Sequence, residues 1–223
     1  MSTLTEKPWL TPGLSGSAPR PEKALRTGVY FLFGVMTSLF MLFFLAMIIR
    51  SQIGDWQPLT EAPWQPLFDS APLWRNTGFL VMSSLLLHTA LVAGRAGGAI
   101  LLRGCLVLSG AAALAFLLGQ WDLWQTFVSR GYGVNSTPAA SFFYLLTGLH
   151  GAHLLMGLAI WGRTLPRLWR QASAPALARL NLLAQYWHFL LGLWLVLFAL
   201  LTSSPETYQA LAALCGVKPV DVP

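Results

Sequence analysis

Five long apolar stretches, separated by shorter polar segments, set the pattern of this chain. They cover roughly residues 27–49, 77–94, 100–118, 138–162 and 182–202. A helix needs about 20 such residues to cross the hydrocarbon core of a bilayer. The pattern therefore predicts an all-α, polytopic membrane protein with five transmembrane helices. "AGRAGG" (residues 93–98) predicts a tight turn that folds helices two and three into an antiparallel hairpin. Pro138 suits the first turn of helix four. The loop over residues 50–76 carries several Pro and Trp residues and is expected to lie on the membrane surface. Residues 1–26 are polar and rich in Pro, Ser and Thr, without the apolar core of a signal peptide, and read as a partly extended cytoplasmic tail. Residues 27–203 read as the membrane domain, and residues 204–223 as a tail on the outer side. No internal repeat is visible, which counts against a transporter built from two similar halves.

Composition sharpens this. Of 223 residues 55% are hydrophobic and 10% charged, against about 25% charged in soluble domains. Too few charges exist to clothe a water-soluble surface. The net charge of +6 would suggest nucleic acid in a soluble domain. No basic run with interleaved aromatics supports that, so no nucleic-acid partner is expected. The basic residues sit at loop ends instead. Ten of them fall on one side (Lys7, Arg20, Lys23, Arg26, Arg95, Arg103, Arg163, Arg167, Arg170, Arg179) and four on the other (Arg50, Arg75, Arg130, Lys218). That bias predicts the N-terminus inside and the C-terminus outside. Two cysteines, Cys105 and Cys215, form neither a disulfide framework nor a zinc pattern.

Ionisable residues inside a membrane are candidates for function. Here they are His88, Arg103, His150, His153 and His188, with no Asp, Glu or Lys in the middle of an expected span. "TGLHGAHLLMG" (residues 147–157) puts His150 and His153 on one helix face, where they could grip a metal or haem. Two haems stacked across a bundle would need histidine pairs about 13–14 residues apart, and His88 and His188 each stand alone on their helices. The favoured reading is that the imidazoles hydrogen-bond to neighbouring helices. Gly148, Gly151, Ala152 and Gly157 suggest a close helix crossing around them. Tyr186 and Trp187 are expected at headgroup depth, with His188 just inside. No GxSxG, HExxH, P-loop or GxGxxG motif appears.

Several of these blocks resemble one family. "SFFYLLTGLHGAHLLMG" resembles the S-x-F-F-x-x-T-G-x-H-G-x-H-x-x-x-G signature of subunit III of the haem-copper oxidases. "YWHFLLGLWLVLF" resembles that family's last helix, and "NTGFLVMSSLLLHTAL" is similar to its N-T-x-x-L-x-x-S-S helix start. "GQWDLWQ" stands where the family has a glutamine shortly before an acidic and an aromatic residue. The blocks keep the family's order over residues 76–201. Five spans match the shorter bacterial form, which lacks the first two of seven helices.

The resemblance implies a non-catalytic subunit of a bacterial inner-membrane respiratory oxidase, a cytochrome c oxidase that reduces oxygen to water. This chain would have no catalytic, metal or cofactor-binding residue. Haem and copper would belong to partner subunits, with subunit I in direct contact and subunit II and a small subunit in the same complex. Two helix groups would enclose a V-shaped cleft holding structural phospholipid. The first helix would stand on one side, with the second as its candidate companion. Gly148, His150, Gly151, His153 and Gly157 would serve helix packing and the subunit interface. Tyr186, Trp187, His188 and Trp194 would line the lipid cleft or the headgroup layer. Support of subunit I and of proton uptake would be its tasks. The equivalent subunit of a quinol oxidase or nitric oxide reductase is the alternative, followed by an independent channel or transporter and a haem protein. Two departures bear on proton uptake. Val35 stands near the family's glutamate in the first of these helices, and Leu190, Leu191 and Gly192 stand where many members carry an aspartate. Dicyclohexylcarbodiimide should therefore leave helix one unlabelled; a labelled peptide between Gly28 and Ile49 would refute the assigned span.

Overall fold

A computed structural model of the chain describes residues 21–57, 59, 71–170 and 173–216. Among the described residues six helices follow one another: α1 Pro21–Arg50, α2 Ala71–Arg95, α3 Ala99–Ser129, α4 Pro138–Arg170, α5 Ala174–Leu201 and α6 Pro205–Leu214. The first five are long and apolar enough to cross a membrane. The helices outrun the apolar stretches that announced them. α3 has 31 residues, about 46 Å at 1.5 Å per residue, whereas the hydrocarbon core is about 30 Å thick. The surplus turns reach headgroup depth, where polar residues are tolerated. Hence α3 runs past Leu118 to include Gln120 and Asp122, and α5 begins at Ala174, eight residues before the expected span.

The α2–α3 turn is the predicted hairpin. Gly97 takes φ +79°, a left-handed conformation that only glycine adopts without strain. This lets the Gly98 N–H donate to the Ala93 carbonyl at 2.9 Å, closing the end of α2. Gly131 does the same after α3 with φ +90°, and the Tyr132 N–H returns to the Phe127 carbonyl. Pro138, Pro175 and Pro205 each stand in the first turn of a helix, where the missing N–H costs nothing.

Helices α2 to α5 form one bundle, with α2 against α3 and α5, and α4 against α3 and α5. The second helix therefore belongs with the main bundle rather than with the first. α1 packs on α4, α5 and α6 and not on α2 or α3. One face of α1 supplies Met36, Phe40 and Met47 to the core, while Phe31, Met41 and Leu42 stay exposed. Phe33 of α1 stacks on Phe189 of α5 at 4.5 Å. Of the 50–76 loop, residue 58 and residues 60–70 lie outside the described residues. Its start is fixed by Arg50, which pairs with Asp55 and through that hydrogen bond holds the carboxyl below its usual range. Trp56 then packs on Phe142 and Tyr208. The expected N-terminal tail up to residue 20 also lies outside the described residues. The expected C-terminal tail contains α6, held to α5 by the Tyr208 hydroxyl, which donates to the Leu200 carbonyl at 2.6 Å.

Glycine and tryptophan set the closest approach within the bundle. The Trp161 indole of α4 lies over the α3 backbone at Gly110, and its N–H donates to the Leu106 carbonyl at 3.1 Å. A Cβ at Gly110 would overlap that ring. Gly104 on the same helix has open space. Gly110→Ala should cost about 1–3 kcal/mol of stability in a detergent melt, with Gly104→Ala near wild type. Equal melts for the two would refute the α3–α4 contact.

Candidate functional site

The stretch from Thr147 to Gly157 lies in the middle of α4, between α1, α3 and α5. His150 is fully buried, with Phe116 of α3 edge-on at 5.8 Å and Trp194 of α5 at 5.2 Å between ring centroids. Among the described residues neither of its ring nitrogens has a hydrogen-bond partner. His153 faces α1, with the Phe40 ring at 5.9 Å, and its Nδ1 meets the Leu149 carbonyl of its own helix at 2.7 Å. The expected interhelical hydrogen bonds from these two imidazoles are therefore not formed. Their three-residue spacing sends them to different neighbours, which meet them as rings. The backbone supplies the interhelical bond instead: the Tyr186 hydroxyl of α5 donates to the His153 carbonyl at 2.8 Å.

The small residues also divide. Gly157 is a true close approach, since a Cβ there would stand 2.9 Å from both the Trp187 and Tyr186 rings. Gly148 and Gly151 are half-buried and form the floor of a groove of about 310 Å³ between α3 and α4. Leu117, Trp121, Trp124 and Leu155 wall it. At Gly151 a Cβ would meet only the end of Leu117 at 3.7 Å. The helix crossing expected at Gly151 thus lies a turn and a half further on, at Gly157.

Trp187 and Trp194 require a correction too. Both are fully buried, so neither ring reaches lipid or headgroups. Trp187 donates its N–H to the Ser83 hydroxyl of α2 at 2.8 Å. Ser83 in turn donates to the Ser109 carbonyl of α3 at 2.7 Å. One chain of two hydrogen bonds thus ties three helices. Trp194 donates to the Thr77 hydroxyl of α2 at 3.0 Å. Trp124 of α3 donates to the Thr147 hydroxyl of α4 at 3.2 Å, and that hydroxyl donates to the Phe143 carbonyl at 2.6 Å. Tyr186 is largely buried as well, yet it lines a groove between α1 and the α4–α5 pair. Of the four residues assigned to lipid, only His188 is exposed; its Nδ1 lies 2.6 Å from the Ser84 hydroxyl.

Sequence reasoning missed the acceptors. Asn76, Thr77, Ser83 and Ser84 lie buried on α2 as two pairs seven residues apart, two helical turns, on one stripe. That spacing is readable in "NTGFLVMSS". The buried Asn76–Gln120 contact at 3.4 Å, and Gly119, which leaves room for Asn76, join α2 to α3 on the same stripe. At the opposite end Arg103 of α3 donates to the Trp169 carbonyl of α4 at 2.8 Å, and Arg95 donates to Asn181 of α5. Among the described residues no group of three His, Cys, Asp or Glu could hold a metal ion.

The sequence profile described as "Cytochrome c oxidase subunit III" matches residues 20–203. This chain belongs to the cytochrome c oxidase subunit III family. Among similar proteins, the probable cytochrome c oxidase subunit 3 of Mycobacterium leprae is 31% identical over 165 residues, 73% of this chain and 77% of that protein. The cytochrome c oxidase subunit 3 of Synechocystis is 29% identical over 196 residues, 85% of this chain and 80% of its own length. The probable cytochrome c oxidase subunit 3 of Mycobacterium tuberculosis (strain H37Rv) is 32% identical over 150 residues, 66% and 71% of the two chains. As a subunit III, this chain is one component of a multi-subunit haem-copper oxidase, spanning the membrane several times.

The subunit III core makes a directional prediction. Gly157→Leu should force α4 from α5 and unfold the chain well below the wild-type temperature, at a cost of about 3 kcal/mol or less. Gly151→Leu should leave the isolated chain's melt within about 0.5 kcal/mol of wild type. The reverse order would overturn the placement of the crossing.

Proposed function

We propose that this chain is a non-catalytic accessory subunit of a bacterial respiratory cytochrome c oxidase, seated beside subunit I and holding structural phospholipid. The observation that carries the reading is how the membrane-embedded polar groups are used. Trp124, Trp161, Trp187, Trp194 and Tyr186 all direct their N–H or O–H groups at a neighbouring helix. Such a bundle is braced, as a support for a neighbouring protein needs to be. Haem and copper belong, on this reading, to the partner subunits.

Lipid binding has a place to occur. A groove of about 430 Å³ runs between α1 and the α4–α5 pair, walled by Val29, Leu32, Ile160 and Leu182, with Arg163, Arg167 and Arg179 at its end. Apolar walls suit acyl chains, and guanidinium groups bind phosphate through paired hydrogen bonds. This groove takes the place of the lipid-facing role first given to Trp187 and Trp194. It also supports two helix groups around a cleft, α1 forming one of them alone. Lys23, Arg26, Arg95, Arg103, Arg163, Arg167, Arg170 and Arg179 cluster at the same ends of the helices, which favours that side as cytoplasmic and the C-terminal side as periplasmic. A contribution to proton uptake would have to come without an acid between Gly28 and Ile49 of α1.

The test is isolation of the tagged chain from its own membranes in mild detergent. The reading expects haem absorbance and stoichiometric subunits I and II in the same peak. A chain that elutes without an oxidase, or that alone conducts ions in liposomes, would overturn it. Within that complex, replacing Arg163, Arg167 and Arg179 by Ala should deplete bound phospholipid and shorten the active lifetime, leaving initial turnover within about twofold. Unchanged lipid content would contradict the groove assignment.

A further inference from the structure

His88 of α2 and His188 of α5 stand side by side on the outside of the bundle. Their ring centroids are 5.5 Å apart, and both side chains are exposed. His188 is nearly equidistant from the two ends of α5, about 20 Å from each at 1.5 Å per residue. α5 overruns the core at its Arg179 end, and His88 stands seven residues from Arg95 of α2, about 10 Å at 1.5 Å per residue, so the pair sits inside the hydrocarbon core, nearer that end. Among the described residues one of the four ring nitrogens is engaged, the Nδ1 of His188 with Ser84. Polar groups at that depth face protein interior or a water-filled cavity as a rule, because hydrocarbon leaves them unpaired. Here they face outward.

What covers the pair must bring a hydrogen-bonding group into the hydrocarbon core. Phospholipid cannot, since its polar atoms stay at the surface and only acyl chain reaches this depth. A membrane-spanning helix can. One turn along α5 from His188, Gly192 is exposed, with open space where a Cβ would stand. A small residue there lets a second helix approach closely. Leu85 and Leu195 flank the pair as exposed apolar contacts.

We propose that the α2–α5 face around His88, His188 and Gly192 is the surface on which this subunit docks a transmembrane helix of another oxidase subunit, one that presents a hydrogen-bonding group inside the hydrocarbon core, level with the pair. The proposal rests on the accessory-subunit reading and adds where the contact is made and by which chemistry. The phospholipid groove lies on a different side, between α1, α4 and α5, so one subunit carries a protein-facing side and a lipid-facing side.

The test places a diazirine amino acid at Leu85 or at Leu195 in the full complex, in native membranes, with both histidines intact. Illumination should join this chain to a different membrane polypeptide of the oxidase. Adducts with phospholipid alone, or with a second copy of this chain alone, would overturn the docking face. In a second arm His88→Phe with His188→Phe should reduce the chain retained on oxidase purified through another subunit by about tenfold. Retention at the wild-type level would also overturn it. A chain that brings down no oxidase in any arm refutes the accessory-subunit reading, and this inference with it. Oxidase recovered alongside lipid-only adducts refutes this inference alone.

Discussion

An indole N–H inside a bilayer has no water to bond, so a protein that buries tryptophan there must supply an acceptor from itself. That constraint organises this subunit. Trp187 and Trp194 of α5 reach across to hydroxyls on α2, Trp161 of α4 to a carbonyl on α3, and Trp124 of α3 to a hydroxyl on α4. Each helix of the bundle thus gives or receives at least one such bond. The acceptors fix the rotation of each helix about its axis, because a serine or threonine in a span is useful only where an indole can find it. Glycine then fixes the distance. Gly110 beneath Trp161, Gly157 beneath Trp187 and Gly148 beside Trp124 make room for the ring that the neighbouring hydrogen bond holds.

Helix α1 stands outside this scheme. Among the described residues it meets the bundle through ring contacts, Phe33 stacked on Phe189 and Phe40 tilted against His153, and through one long contact from the Tyr30 hydroxyl to Gln185 at 3.4 Å. Packing of that kind is apolar and lacks the directional bonds that lock α2 to α5. A phospholipid in the groove beside α1 would add the contact area that this helix lacks, which is how a lipid can be structural on the proposed reading. The braced bundle and the loosely attached helix are two parts of one subunit with different tolerances for change.

Much of this was legible in the residues. Run length announced five spans, "AGRAGG" announced the hairpin, and the signature blocks over residues 76–201 pointed to the subunit III family, whose profile matches residues 20–203. Helix ends were not legible, because hydropathy reports the hydrocarbon core and helices continue through the interface. Partners were not legible either. Gly148, Gly151 and Gly157 look alike in sequence, yet a Cβ would meet only Leu117 at Gly151, one edge of the Trp124 ring at 3.3 Å at Gly148, and two rings at 2.9 Å at Gly157. His150 and His153 look like interhelical hydrogen-bonders, yet one meets rings and the other its own helix. Which neighbour a residue meets is a property of helix rotation, set here by indole–hydroxyl pairs about a hundred residues apart. The seven-residue repeat of polar pairs in α2 was the available signal. It marks a stripe without naming what the stripe touches.

The most direct test of the bracing account is a double-mutant cycle on Trp187 and Ser83, measured as unfolding free energy of the chain in a bilayer mimic. If the indole–hydroxyl bond locks α5 to α2, then Trp187→Phe, Ser83→Ala and the pair together should be non-additive, with a coupling of about 0.5–1.7 kcal/mol. Strict additivity, with no coupling beyond error, would mean that this bond does not hold the bundle and that the account built on it is wrong.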